Sequence, residues 1–249
     1  MSRKAAAGLM LLAALGAAGC GSTPPTGTAS APADPTVKCH DHDVPLRVLE
    51  KPRPASELGP TGREALKGEE VRRIDDLPTW TIVEESDTRL ALIRELDEPQ
   101  AERQGLVFTH EFLAVERFGS PGPDGRPGWH MRSSGRCDLR KDLGELGVAD
   151  VTLDPAARPA KAAREVRLLV TERACASGQR ADGRVRLAGM ETTATEIRLI
   201  IGVAEASGAV RTCQGNPPTP FTVRLDEPLG DRVLVDASIH PPRRIPAGG

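Results

Sequence analysis

The 249-residue chain has no tyrosine, two tryptophans and four phenylalanines. Stacking platforms for bases or sugars need exposed aromatic faces. Most of Trp80, Phe108, Phe112, Phe118, Trp129 and Phe221 are needed for a core, which leaves few to spare. An excess of one charge is missing too: 33 basic against 35 acidic residues give a formal net charge of −2. Loss of Arg3 and Lys4 with a leader would take it to about −4. That balance offers nothing to attract nucleic acid, and none is expected as a partner. G-x-S-x-G, H-E-x-x-H, P-loop and G-x-G-x-x-G signatures are all absent, so no familiar catalytic or cofactor motif is present and no cofactor is expected. Beyond the N-terminus, the best apolar run is Ile197–Val203; it carries Arg198 and is far too short to span a bilayer.

What is present begins with MSRKAAAGLMLLAALGAAGC. Arg3 and Lys4 form a basic region, Ala5–Leu15 an apolar region of secretory-signal length, and residues 16–19 a run of small side chains before Cys20. The arrangement resembles a bacterial lipoprotein signal. Ala18, Gly19 and Cys20 match the lipobox, while Ala17 stands where an aliphatic residue such as Leu is usual. The resemblance implies cleavage after residue 19, acylation of Cys20 and attachment to the cell membrane through that lipid. More than one acyl chain is needed for stable anchoring, which a diacylated or triacylated Cys20 would supply. The other reading is an ordinary cleaved signal with an incidental cysteine. Residues 21–36, GSTPPTGTASAPADPT, lack the apolar surface to fold, so residues 20–36 read as a disordered tether. The folded part is expected outside the cytoplasm.

The cysteines are Cys20, Cys39, Cys137, Cys175 and Cys213. With Cys20 assigned to lipid, four remain for an oxidising compartment, and four allow three pairings. Chain order and the expected division into halves favour Cys39–Cys137 and Cys175–Cys213. Within CHDHD (39–43) this leaves His40 and His42 as an H-x-H pair. On an extended strand the two would share a face and could hold one metal. Zinc needs three or four ligands, however, and His110, His130 and His240 stand alone. Solvated polar residues at the start of a domain are the simpler reading.

The folded part reads as β-rich. Residues 61–75 suggest a short helix with Leu66, Val71 and Ile74 inward, weakened by Gly62 and Gly68. Residues 80–97 read as two strands around a turn at 85–87. Residues 106–139 read as a hairpin with its turn over GSPGPDGRPG (119–128). His110 falls among the apolar positions of that hairpin and is expected to be half-buried and satisfied by a neighbour. After a connection at 140–150, alternating segments at Glu165–Cys175, Thr195–Val203, Phe221–Leu225 and Val233–Val235 are separated by turn-rich stretches. This spacing predicts a sandwich or barrel, and an Ig-like β-sandwich is preferred. The expected layout is therefore a signal (1–19), a tether (20–36), a smaller β-rich N-terminal half (37–147) and a β-sandwich (148–245). The tail HPPRRIPAGG is too proline-rich to be a core strand.

Three phrases stand out: GRCDL (135–139), TERACASGQRADGRV (171–185) and TCQGNPPTPFTVRLDEPLGDRVLVDAS (212–238). Through them, residues 129–244 resemble a group of uncharacterised actinobacterial secreted proteins and lipoproteins. The resemblance implies no activity. It places Cys175 and Cys213 in one unit, in agreement with their pairing. The loop QGNPPTP (214–220) is fixed by its prolines, so Asn216, Pro217, Pro218 and Thr219 are candidate binding residues. A shaped turn that protects a sheet end is the alternative. Arg173, Arg180 and Arg184 could hold an acidic group, though neighbouring acids favour a solvated face. Two functions follow. One is a lipid-anchored, non-catalytic β protein that binds an envelope protein or cell-wall component. The other is a secreted hydrolase whose active site is dispersed, which a deep pocket holding a His or carboxylate with a shifted pKa would favour.

Overall fold

A computed structural model describes residues 34–101, 107–123, 125–208 and 210–248. The signal, Cys20 and the tether through residue 33 lie outside the described residues. Residues 34–249 form one compact unit. Residues 34–36, expected in the tether, belong to the fold: Asp34 pairs with Arg47 at 2.8 Å and Thr36 opens the first strand.

Strands β1 (Thr36–Cys39) and β2 (His42–Pro45) form a tight hairpin whose turn is His40–Asp41. His40 takes a positive φ of 52° there. The H-x-H pair therefore straddles a turn and does not share a strand face. Helices α1 (Leu46–Glu50) and α2 (Pro60–Ala65) follow. The expected helix over 61–75 stops at residue 65, because the chain must turn in against β6 (Pro127–Cys137). Gly68 lies so close to Trp129 that an added Cβ would sit 2.6 Å from its carbonyl oxygen. Glu69 then makes backbone bonds to Trp129 and Met131.

The central sheet runs β3 (Thr81–Glu85), β4 (Arg89–Ala101), β5 (Val107–Pro121), β6, all antiparallel. It carries a core on both faces, which explains why LALI (90–93) is apolar without alternation. Leu90 and Leu92 pack with Trp80, Leu58 and Leu113 under the 55–80 segment. Ala91 and Ile93 pack with Phe112, Val37 and Val44 on the other side. The Cys39–Cys137 bridge belongs to this second core, with both sulfur-bearing residues buried.

The second half contains two sheets around a single apolar cluster. One has the order β13 (Thr219–Arg224), β10 (Glu165–Glu172), β9 (Ala149–Leu153). The other has the order β11 (Val185–Thr192), β12 (Glu196–Ala204), β14 (Val233–Asp236), β16 (Arg243–Arg244), with β8 (Leu146–Gly147) also on β12. Val166, Leu168 and Val170 face Ile197, Leu199 and Ile201 in that cluster. The protein is thus mainly β. The β12–β14 pair is parallel, and Cys175–Cys213 joins two loops without crossing between the sheets.

Two corrections concern the seam between the halves. Strand β8 pairs with β12, so the expected boundary at 147/148 cuts through material of the second half. The tail is not a loose end either. Strand β15 (Ile239–His240) pairs with β7 (Leu139–Arg140), which joins β1 in the first small sheet. Strand β16 pairs with β14, Ile245 is fully buried, and Leu153 exchanges backbone bonds with Pro246 and Gly248. The prolines flank these short strands at edges, where a missing N–H costs no ladder bond.

Candidate functional site

The three distinctive phrases, far apart in the chain, meet at the seam. Asp138 follows the disulfide-pinned Cys137, Arg140 lies on β7, Asp150 on β9, and Arg173 directly follows β10. Arg140 donates from Nε to Asp138 Oδ2 at 2.8 Å, from Nη1 to the Ala149 carbonyl at 2.7 Å and from Nη2 to Asp150 Oδ1 at 3.0 Å. Arg173 clasps Asp138 (2.9 Å from Nη1 to Oδ1) and Asp150 (2.7 Å from Nη2 to Oδ1). Asp138 and Arg140 are buried.

Burial alone would raise the Asp138 pKa, but the charges and hydrogen bonds of Arg140 and Arg173 outweigh it and hold the carboxyl below the usual carboxylate range. Burial likewise works against Arg173, and its bonds to Asp150 and Asp138 more than compensate. Asp236, at the end of β14, goes the other way. Burial raises its pKa, although Ser238 donates to Oδ1 from both its backbone nitrogen (2.9 Å) and its hydroxyl (2.5 Å).

A second region is more open. A groove of about 670 Å³ lies over the central sheet where the 55–80 segment ends. Its floor contains the cross-strand row Arg94, Glu111, Arg136, one residue from each of β4, β5 and β6. Arg94 Nε donates to Glu111 Oε2 at 2.8 Å, and its guanidinium lies 5.1 Å above the Trp80 ring. Leu113 and Met131 add apolar floor, and Arg72 stands on the rim.

Other residues singled out in the sequence have structural tasks. Both disulfides pair as preferred, Cys39 with Cys137 and Cys175 with Cys213. His42 stacks on Phe112 at 4.7 Å and accepts from Arg89 Nη2 at 3.0 Å; a guanidinium only donates, so Nδ1 is the acceptor. Burial and the Arg89 charge lower its pKa. Among the described residues, no group of three or more His, Cys, Asp or Glu is placed to hold a metal. His110 is more buried than expected, with Thr109 Oγ1 at 2.9 Å from Nδ1, and burial lowers its pKa.

Several polar groups of the loop at 214–220 bond to the rest of the fold, while Asn216 Oδ1 is buried without a partner among the described residues. Asn216 Nδ2 donates to the Glu172 and Ala174 carbonyls at 2.9 and 2.7 Å. Thr219 is buried and its hydroxyl accepts from Ala181 N at 2.8 Å. Of the four binding candidates Pro217 and Pro218 are exposed, while Asn216 and Thr219 tie the loop to the fold. Nor do Arg173 and Arg184 form a solvated face. Arg184 is spent on buried Glu172 at 2.8 and 2.5 Å, and Arg180 pairs with Asp182 at 3.5 Å.

Sequence reasoning missed Asp138, Asp150, Asp236 and the groove row. Nothing in local spacing distinguishes a charge that will be buried at a seam from one on a surface. No family model, no curated protein and no solved structure matches the chain at a significant level.

Proposed function

We propose that this chain is a lipid-anchored, extracytoplasmic binding module that holds an envelope protein or cell-wall component in the groove over β4, β5 and β6. The groove carries this reading: its volume falls in the range of ligand sites, about 300–1,000 Å³. It combines an apolar floor with a row of charges that can orient a polar ligand. The anchor rests on the signal-like N-terminus and Cys20. The compartment rests on the two disulfides, which persist under oxidising conditions.

The hydrolase alternative has one observation in its favour, the raised pKa of Asp236 beside a cavity. A general acid or base must reach a substrate proton. Asp236 instead commits Oδ1 to Ser238, whose own side chain is buried. Each of the four described cysteines is bonded to another, which leaves none of them as a nucleophile.

The binding reading is tested with Arg94→Ala and Arg72→Ala, assayed for retention on cell-envelope material of the parent organism. Binding is expected to fall by about tenfold in Arg94→Ala, the scale of a lost charge-assisted contact. Folding stability should change by about 1 kcal/mol or less, since the Arg94–Glu111 pair is partly exposed. Wild-type retention by both variants would contradict the groove assignment.

A further inference from the structure

Beneath the tail lies a smaller cavity of about 250 Å³, bounded by β9, the Arg140–Arg173 cluster and β16. Its charges are unevenly matched. Asp138 and Asp150 are consumed by Arg140 and Arg173. Among the described residues, the Arg243 guanidinium has a single polar partner, Asp138, whose Oδ2 lies 3.5 Å from Nη2 and already accepts from Arg140 at 2.8 Å and Arg173 at 3.2 Å. Asp236 sits opposite Arg243 in the β14–β16 register, but its Oδ1 is taken by Ser238. A half-buried guanidinium thus lines the cavity with most of its donors unspent. Burial lowers its pKa, the Asp138 and Asp236 charges only partly oppose this, and the Arg140 and Arg173 charges add to the lowering. Val151, Ile239 and Pro246 form apolar walls, which strengthen any ion contact made inside.

We propose that this cavity binds a small molecule through an oxyanion, a phosphate or a carboxylate, held by the guanidinium fork of Arg243. Two coplanar oxygens match two parallel N–H groups of that fork, a fit that lysine's point charge cannot reproduce. With the exposed Arg244 the lining carries four arginines against Asp138, Asp150 and Asp236, a difference of one charge that a bound anion offsets. The site is separate from the groove and does not depend on it.

The test titrates inorganic phosphate and, separately, acetate into the full chain at constant ionic strength. The Arg243 Nε–Hε resonance is followed, with chloride as control. A saturable shift with phosphate or acetate but not chloride is expected, and the stronger of the two arms assigns the ligand's head group. Arg243→Gln should weaken binding by about tenfold or more, the loss expected of a charge-assisted bond. If that variant does not fold, Arg243→Lys keeps the charge, removes the fork and should still bind more weakly than wild type. The proposal is overturned if neither anion gives a saturable shift up to about 50 mM, where binding is weaker than about 2 kcal/mol. An equal response to chloride, or unchanged binding in the folded variant, also overturns it.

Discussion

Ending the chain at Ser238 is expected to abolish folding, although only the last eleven residues of 249 are lost. Those residues add a strand to two sheets and bond to an edge strand of a third. Ile239 pairs with Arg140 in the first small sheet. Arg243 and Arg244 pair with β14, and Ile245 donates its N–H to the Leu234 carbonyl at 2.9 Å. Leu153 N–H donates to the Pro246 carbonyl at 2.8 Å, and Gly248 N–H returns to the Leu153 carbonyl at 2.9 Å. Gly248 permits that approach: an added Cβ would lie 2.6 Å from the Leu153 oxygen. The tail therefore closes the cluster between the two sheets of the second half, with the Ile245 side chain as its plug. Ile245→Ala alone should cost about 2–5 kcal/mol, the range for a fully buried aliphatic side chain. A urea melt should show a lower midpoint with an unchanged slope. Domains have only about 5–15 kcal/mol in hand, so loss of the whole tail should leave no cooperative transition. A truncated chain that melts like the intact one would show that the tail only lies on a finished fold.

Asp138→Asn is expected to be the most destabilising single charge change, by about 3–5 kcal/mol at neutral pH. The carboxylate is the hub for Arg140, Arg173 and Arg243, and an amide would leave Asp150 alone to serve Arg140 and Arg173 at a buried seam. The pH dependence follows from the directions of the shifts. The Asp138 pKa is lower in the fold than in the unfolded chain. Its contribution is therefore complete above the ordinary carboxylate pKa and is lost as pH falls through the depressed folded value. The penalty of Asp138→Asn should then shrink on acidification. Asp236 has the opposite sign: its folded pKa is raised, so its protonated form favours the native state and that contribution fades as pH rises through the folded value. Asp236→Asn is thus expected to be milder at neutral pH than Asp138→Asn. Urea melts of both variants at two pH values separate the effects. A penalty for Asp138→Asn that stays constant from neutral to strongly acid pH would contradict the hub role.

Local patterns made much of this architecture legible. Alternation and the GSPGPDGRPG turn located the hairpin of β5 and β6, and apolar alternation located β10, β12, β13 and β14. Cysteine parity and chain order found both disulfides. Strand β11 was invisible because a register shift between Leu187 and Gly189 breaks its alternation and most of its side chains face solvent. The tail forms no core strand, as its prolines indicated, but nothing local showed that they would sit between two-residue edge strands and leave Ile245 free to insert. The seam was illegible for a different reason. Asp138, Asp150, Arg173 and Arg243 are brought together by long-range topology, and isolated acids and arginines read as solvated surface. The turn at His40–Asp41 was not legible, because a two-residue turn leaves no Gly or Pro signal when a histidine takes the positive φ.

We propose that the folded unit is held outside the cytoplasm by lipid on Cys20, and intact mass tests this most directly. The protein is extracted from membranes and weighed with thiol alkylation before and after reduction. The account predicts a chain that begins at Cys20, carries diacylglycerol and acyl additions, and takes up no alkylating agent until reduced. A mild reductant should open the more exposed Cys175–Cys213 bridge before the buried Cys39–Cys137 bridge. A species that retains Met1, or one with an unmodified N-terminus and freely alkylated cysteines, would contradict both the anchor and the compartment.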